Sequence, residues 1–242
     1  MKIMRFFLLG TLFLILGVVT SATSPTAQEI LQRVDGHRLI SDDSEMTIRV
    51  ERYLKNKLQD SAVMKGYILH GQMTSLVFLE PEKMKDRKIT IKDKNDVWLI
   101  IPKVKNPIRI TPSQRLIGGI SYGDVAGVSY AEDYTPKLNA EETVVGMNSD
   151  GTKTDPFKCF TLELTAKSTA MNYNKVVLWV SKQNGLPVKA DFFALSGKKM
   201  STVFYTAPKD FKGKTIITKM FLFDQINTKK YYSMEFYDLK AY

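Results

Sequence analysis

Apolar and polar residues alternate with a period of two over most of the chain, beginning at Ser44. Met46, Ile48 and Val50 alternate with Thr47, Arg49 and Glu51, and Phe160, Leu162 and Leu164 alternate with Thr161 and Glu163. Ile216, Thr218, Met220 and Leu222 share one strand face, as do Tyr232, Met234 and Phe236. Shorter runs at 63–69, 75–79, 88–92, 97–101, 176–180, 188–193 and 201–205 predict further strands. Turn residues separate them at Asn148–Gly151, Asn184–Gly185, Ser196–Gly197 and Lys212–Gly213. About ten or eleven strands with no helix recurring between them predict an antiparallel sheet, because parallel strands need long crossovers. A sheet of that width curls into a barrel or half-barrel.

Two stretches break the alternation. Thr26 and Glu29 have the spacing of a capping box, and Ala27, Ile30, Leu31 and Val34 then form one apolar stripe. They predict a short amphipathic helix ending near Gly36. In residues 115–134, Gly118, Gly119 and Gly123 sit among Ile, Val and Tyr. This segment reads as a loop with short helical turns that covers one side of the sheet.

The beginning of the chain reads as an address. Lys2 and Arg5 precede an apolar run from Phe6 to Val19, and small residues follow at Thr20, Ser21 and Ala22. This order predicts a signal peptide over residues 1–22 and export to the periplasm, with residues 23–242 as one domain. The 14-residue run is short for a membrane span, which needs roughly 17–25 residues.

Composition then narrows the chemistry. The 242 residues are 44% hydrophobic and 25% charged, ordinary for a globular protein. One cysteine excludes an internal disulfide, and with two histidines the chain has little material for a metal site. No cofactor is expected. The net charge is +10, or +8 without residues 1–22, and it is concentrated. Residues 83–115 hold ten Lys and Arg against three Asp. Lys83, Lys85, Arg87, Lys88, Lys103, Lys105, Arg109 and Arg115 therefore form a candidate docking surface for an anionic membrane or partner, or else a solvated strand face. In an exported protein such charge does not point to nucleic acid.

Catalytic readings are weak. Gly119-Ile-Ser121-Tyr-Gly123 matches the pattern of a hydrolase nucleophile elbow, but that elbow needs a strand before, a helix after and a histidine downstream. His37 and His70 both precede Ser121. The acidic pairs Asp42–Asp43, Asp93–Asp96 and Glu141–Glu142 read as solvated turns, and Cys159 as a buried structural thiol. The protein is not expected to be an enzyme.

A resemblance appears in the middle of the chain. Trp98-Leu-Ile-Ile-Pro102, Ile108-Arg-Ile110, Arg115 and Ser121-Tyr-Gly-Asp-Val125 resemble the central block of the LolA-like outer-membrane lipoprotein-sorting proteins. Phe78-Leu-Glu-Pro81, Val177-Leu-Trp-Val180, Pro187 through Phe193 and the leading helix at 27–34 are similar to other pieces of that family in the same order. Two departures stand out. Gly123 replaces a frequent Glu, and Asp86-Arg87 stands where a Gly often follows the proline strand.

The resemblance implies a mainly β (α+β) fold, a single curled antiparallel sheet forming an unclosed β-barrel with capping helices around an apolar cavity. It also implies a monomeric periplasmic carrier that shelters acyl chains of lipoproteins or phospholipid on the way to the outer membrane. An inner-membrane transporter would be donor and an outer-membrane protein acceptor. Candidate cavity residues are Met46, Ile48, Leu76, Phe78, Trp98, Ile100, Tyr122, Phe160, Leu162, Trp179, Phe192 and Phe204. The alternative is a non-enzymatic envelope interaction protein with a filled interior, acting through the basic surface as accessory to a transporter or assembly complex.

Overall fold

The computed structural model describes residues 24–40, 43–70, 72–93, 96–111, 115–117, 120–121, 129–169 and 171–242. The expected signal peptide, Tyr122 and the side chain of Arg115 lie outside the described residues.

Helix α1 spans Ala27–Arg38. Its start is fixed by the expected reciprocal cap: the Glu29 amide donates to Thr26 Oγ1 at 3.2 Å, and the Thr26 amide donates to Glu29 Oε2 at 2.8 Å. The helix continues past Gly36 by two residues, because Arg38 is anchored to Asp35 one turn back.

Thirteen strands form one open antiparallel sheet in the order β6-β5-β4-β3-β2-β1-β15-β14-β13-β12-β11-β10-β9. The first six are β1 (Ser44–Leu54), β2 (Lys57–Leu69), β3 (Gln72–Glu80), β4 (Lys88–Asp93), β5 (Asp96–Ile100) and β6 (Ile108–Ile110). The other seven are β9 (Tyr134–Met147), β10 (Lys153–Ala166), β11 (Lys175–Ser181), β12 (Pro187–Phe193), β13 (Lys199–Phe211), β14 (Lys214–Asp224) and β15 (Lys230–Ala241). Chain-terminal β15 pairs with β1, Val50 opposite Met234, and so joins the two halves. The sheet is an unclosed barrel with β6 and β9 as its edges.

The segment expected to be a covering loop holds a separate ladder of β7 (Arg115–Ile117) and β8 (Ile120–Ser121), then helix α2 (Tyr130–Asp133). Two strands of the sheet go unpredicted by the alternation, β6, which is three residues long, and β9. Most residues of β9 from Thr135 to Val145 are exposed, so an edge strand here needs no apolar face. Glu141 and Glu142 sit within it rather than in a turn. The four glycine turns fall between successive strands, and Lys212 and Gly213 both take the positive φ that a tight hairpin turn requires. Lys55 and Asn56 do the same between β1 and β2.

Candidate functional site

Alternation places every second residue of the sheet on an inner face, the face on which α1 lies. Two apolar basins share it. The first is built by β1–β6 and β15, with Ile48, Val50, Met64, Leu76, Ile89 and Val97 buried in it, and Ile120 of β8 joins it. The second is built by β9–β14, with Leu162, Leu164, Val176, Leu178 and Ala190 buried under Ile30, Leu31 and Val34 of α1. Met220 and Leu222 touch both basins and make the inner face continuous.

A polar latch crosses the second basin. The Asp35 carboxylate accepts from Arg38 Nη1 at 3.0 Å, from Ser129 Oγ at 3.0 Å and from the Ala131 amide at 2.8 Å. It thereby ties α1 to the start of α2, about a hundred residues later in the chain. Ser129 Oγ also caps α2 by accepting the Glu132 amide. The Arg38 guanidinium lies 3.9 Å from the centroid of the Tyr130 ring, and the Tyr130 and Tyr205 hydroxyls are 2.8 Å apart. Burial pushes both phenols above their ordinary range, so they face the guanidinium as neutral hydroxyls. The cation is compensated by Asp35 and by the two ring faces.

The structure sorts the candidate cavity residues by face. Ile48, Leu76 and Phe78, with Met46, belong to the first basin, and Leu162 and Phe192, with Phe160, to the second. Trp98 and Ile100 stand on the outer face, because their neighbours Val97 and Leu99 are the ones that pack inward. Trp98 Nε1 donates to Asp96 at 2.7 Å there. Phe204 is also outside, beginning a row of rings that runs through Phe223 and Tyr231 to Tyr53 across β13, β14, β15 and β1.

Trp179 shares the outer face, beneath a feature that the sequence does not announce. The far half of the β9–β10 hairpin bends back over that face. A side chain on Gly146 would come 3.2 Å from Val188 Cγ1 of β12, two strands away from β10. Under the hairpin, Cys159, Trp179 and Val188 form a third small cluster with Val144 and Phe157. Trp179 Nε1 donates to Glu142 at 3.0 Å, and Lys182 pairs with Glu141. Burial pushes the Cys159 thiol up to about 11, with the Glu142 charge adding to it. Beside the hairpin lies an open cleft of about 880 Å³ lined by Lys153–Lys158, Asn148 and Ser181–Gln183.

Of the basic candidates, Lys83, Lys85, Lys88, Lys103, Lys105 and Arg109 are exposed and Arg87 is half-buried. Lys85 pairs with Glu82 at 3.5 Å. His37 Nδ1 lies 2.7 Å from the Thr215 carbonyl oxygen, and the His70 amide donates to Asp43. Among the described residues no three His, Cys, Asp or Glu side chains converge as metal ligands.

Comparison with known proteins agrees with this architecture. A family model described as an uncharacterized protein matches residues 70–241. No curated protein matches the chain. Among solved structures, a LolA superfamily protein from Nitrosomonas europaea is 26% identical, with a TM-score of 0.77 over 90% of this chain and 94% of its own. A DUF1329 family protein from Desulfovibrio piger is 18% identical, with a TM-score of 0.73 over 89% and 91% of the two chains. A domain described as an outer membrane lipoprotein-sorting protein, from Vibrio parahaemolyticus, is 20% identical, with a TM-score of 0.71 over 89% and 92%.

Proposed function

The chain has a LolA-like fold, and from that premise we propose that it is an exported, non-enzymatic carrier that shelters acyl chains against its inner face. The observation that carries this reading is the continuous apolar inner face, covered over its second basin by one helix that is held through one polar latch. A structural core alone would not require the buried Asp35–Arg38 pair, since replacing such a pair by apolar residues is often neutral or stabilising.

The magnitudes suit exchange. Ile30, Leu31 and Val34 contribute about 2 kcal/mol each by burial, roughly 6 together. An acyl chain that buries about ten methylenes gains about 8 kcal/mol. The two quantities are comparable, so one acyl chain competes with the helix for the basin, and a cargo with two or three chains gains enough to stay bound. Ile48, Leu76, Phe78, Phe160, Leu162 and Phe192 are the side chains proposed to touch it. The amphiphile is a lipoprotein or a phospholipid, and the compartment is the periplasm.

The test is native mass spectrometry of protein purified without detergent from the periplasm of a Gram-negative host, before and after organic extraction. An extractable mass identified as acyl lipid is expected. A bare polypeptide that stays unliganded after incubation with lipid vesicles and with lipoprotein overturns the reading, and leaves the filled-interior alternative.

A further inference from the structure

In an antiparallel sheet successive turns alternate between two rims, and here the rims differ in chemistry. Six turns lie at one rim, β10–β11 among them, as the pairings of Leu54 with Lys57 and with Lys230 and of Thr165 with Lys175 require, and five of the six carry the contrast: β1–β2, β3–β4, β5–β6, β12–β13 and β14–β15. Residues 55–58, 79–88, 100–108, 194–199 and 224–230 make up these five turns and their flanks. They hold twelve Lys and Arg against four acids.

The same five turns hold most of the exposed aliphatic surface. Eleven large apolar side chains are exposed among the described residues, and seven of them are here. Leu58 follows Lys57, Leu79 precedes the Lys83–Lys88 turn, and Val104 stands between Lys103 and Lys105, flanked by Ile100 and Ile108. Leu195 (79% exposed) precedes Lys198, and Ile226 precedes Lys229. At the opposite rim, the turns at 69–72, 147–153, 181–187 and 211–214 contribute Leu69, and the end of β15 adds Tyr242.

These turns are joined to one another. The Lys55 amide donates to the Lys229 carbonyl at 2.8 Å, and the Gln225 amide to the Met200 carbonyl at 2.9 Å. The lysines are also available. Lys55, Lys57, Lys83, Lys103, Lys105 and Lys229 form no ion pair among the described residues, and all are exposed.

We propose that this rim is a docking surface for an anionic phospholipid bilayer, with the lysines on the headgroup phosphates and the turn-tip aliphatics entering the interface. Exposed leucine, isoleucine and valine beside lysine is the pairing that a bilayer surface rewards, since apolar burial and headgroup attraction act together there. An acidic protein surface would reward the charges but leave Leu195 and Ile226 without a partner. The surface is independent of the acyl-binding inner face, and the two can fail separately.

The test is co-sedimentation of the periplasmically purified protein with vesicles of phosphatidylcholine alone and of phosphatidylcholine with one quarter phosphatidylglycerol. Binding is expected to the anionic vesicles only, and to weaken as salt is raised. Each lysine near an anionic surface is worth roughly a fivefold change in affinity, so the pair Lys103→Glu with Lys105→Glu should lose at least about tenfold. Leu195→Asp with Ile226→Asp, both on exposed turns, should lose a similar factor while circular dichroism and fatty-acid uptake stay unchanged. Leu69→Asp at the opposite rim should have no effect. Absence of binding to anionic vesicles, equal binding to both compositions, or indifference to the turn-tip variants overturns the proposal.

Discussion

The Arg38 guanidinium stacks over the Tyr130 ring at 3.9 Å, so a helix near the start of the chain and a helix in its middle meet around one buried cation. The acid that balances it, Asp35, also holds the α2 end through Ser129 and Ala131. Asp35→Ala would leave the cation buried without its carboxylate, a change that costs about 3–5 kcal/mol. Arg38→Leu leaves the Asp35 carboxylate its two remaining donors, Ser129 and Ala131, and should cost less. Urea unfolding of both variants measures the difference. Equal stability of Asp35→Ala and the parent would remove the latch from the account.

The α1 cap provides a milder way to loosen the same helix. Thr26→Ala removes both the hydroxyl acceptor for the Glu29 amide and its bond to the Glu29 carboxylate. The expected loss is about 1 kcal/mol. Because α1 covers the second basin, amide exchange in residues 27–34 should speed up before any change is seen in the sheet. Uptake of a fluorescent fatty acid should also become faster, whereas an unchanged rate would separate α1 from cargo entry.

Gly146 marks where the β9–β10 hairpin lies on the outer face. A methyl there would stand 3.1 Å from Phe157 Cε2, 3.1 Å from Thr154 Oγ1 and 3.2 Å from Val188 Cγ1. Three neighbours at once cannot all give way, so Gly146→Ala should cost about 1–3 kcal/mol by overpacking. The hairpin would lift from Trp179, and the emission of that indole should shift to the red. A Trp98→Phe background isolates the signal.

Stability should fall on the alkaline side. The folded Cys159 thiol is held protonated up to about 11, while a free thiol ionises near 8.5. Above the unfolded value the unfolded chain sheds a proton that the native state keeps, so stability is full below pH 8 and declines as pH rises toward 11. Tyr53, raised to about 12 by burial and by its bond to Glu51, and Tyr231, raised by burial, act in the same direction. Cys159→Ala should make the decline between pH 9 and 11 shallower in a denaturant series. In the native protein the thiol should be inert to a disulfide reagent at pH 8 and react once per chain on unfolding.

Much of the architecture is written locally. The capping box, the α1 stripe and the glycine turns depend on neighbours within a few residues, and each occurs where the spacing places it. Period-two alternation is as local, and it identifies most strands. It does not say which face is inner when both carry large apolar groups. Trp98 and Ile100 alternate as well as Val97 and Leu99 do, and only the packing of Leu76, Ile89 and Ile110 shows that the second pair points inward. Strand β9 is illegible for the opposite reason, since its exposed residues need no pattern and its pairing with β10 alone makes it a strand.

The sequence by itself determined that this chain is an antiparallel sheet with one capped helix, few catalytic groups and a concentrated positive charge. Those properties follow from composition and from interactions a few residues long. Only the tertiary structure decided that Asp35 meets Ala131, that the β9–β10 hairpin covers Trp179, and that six turns from residue 55 to residue 230 share one rim. Each of these depends on the register with which distant strands pair. That register is set by burial summed over the whole inner face, which no local stretch of residues contains.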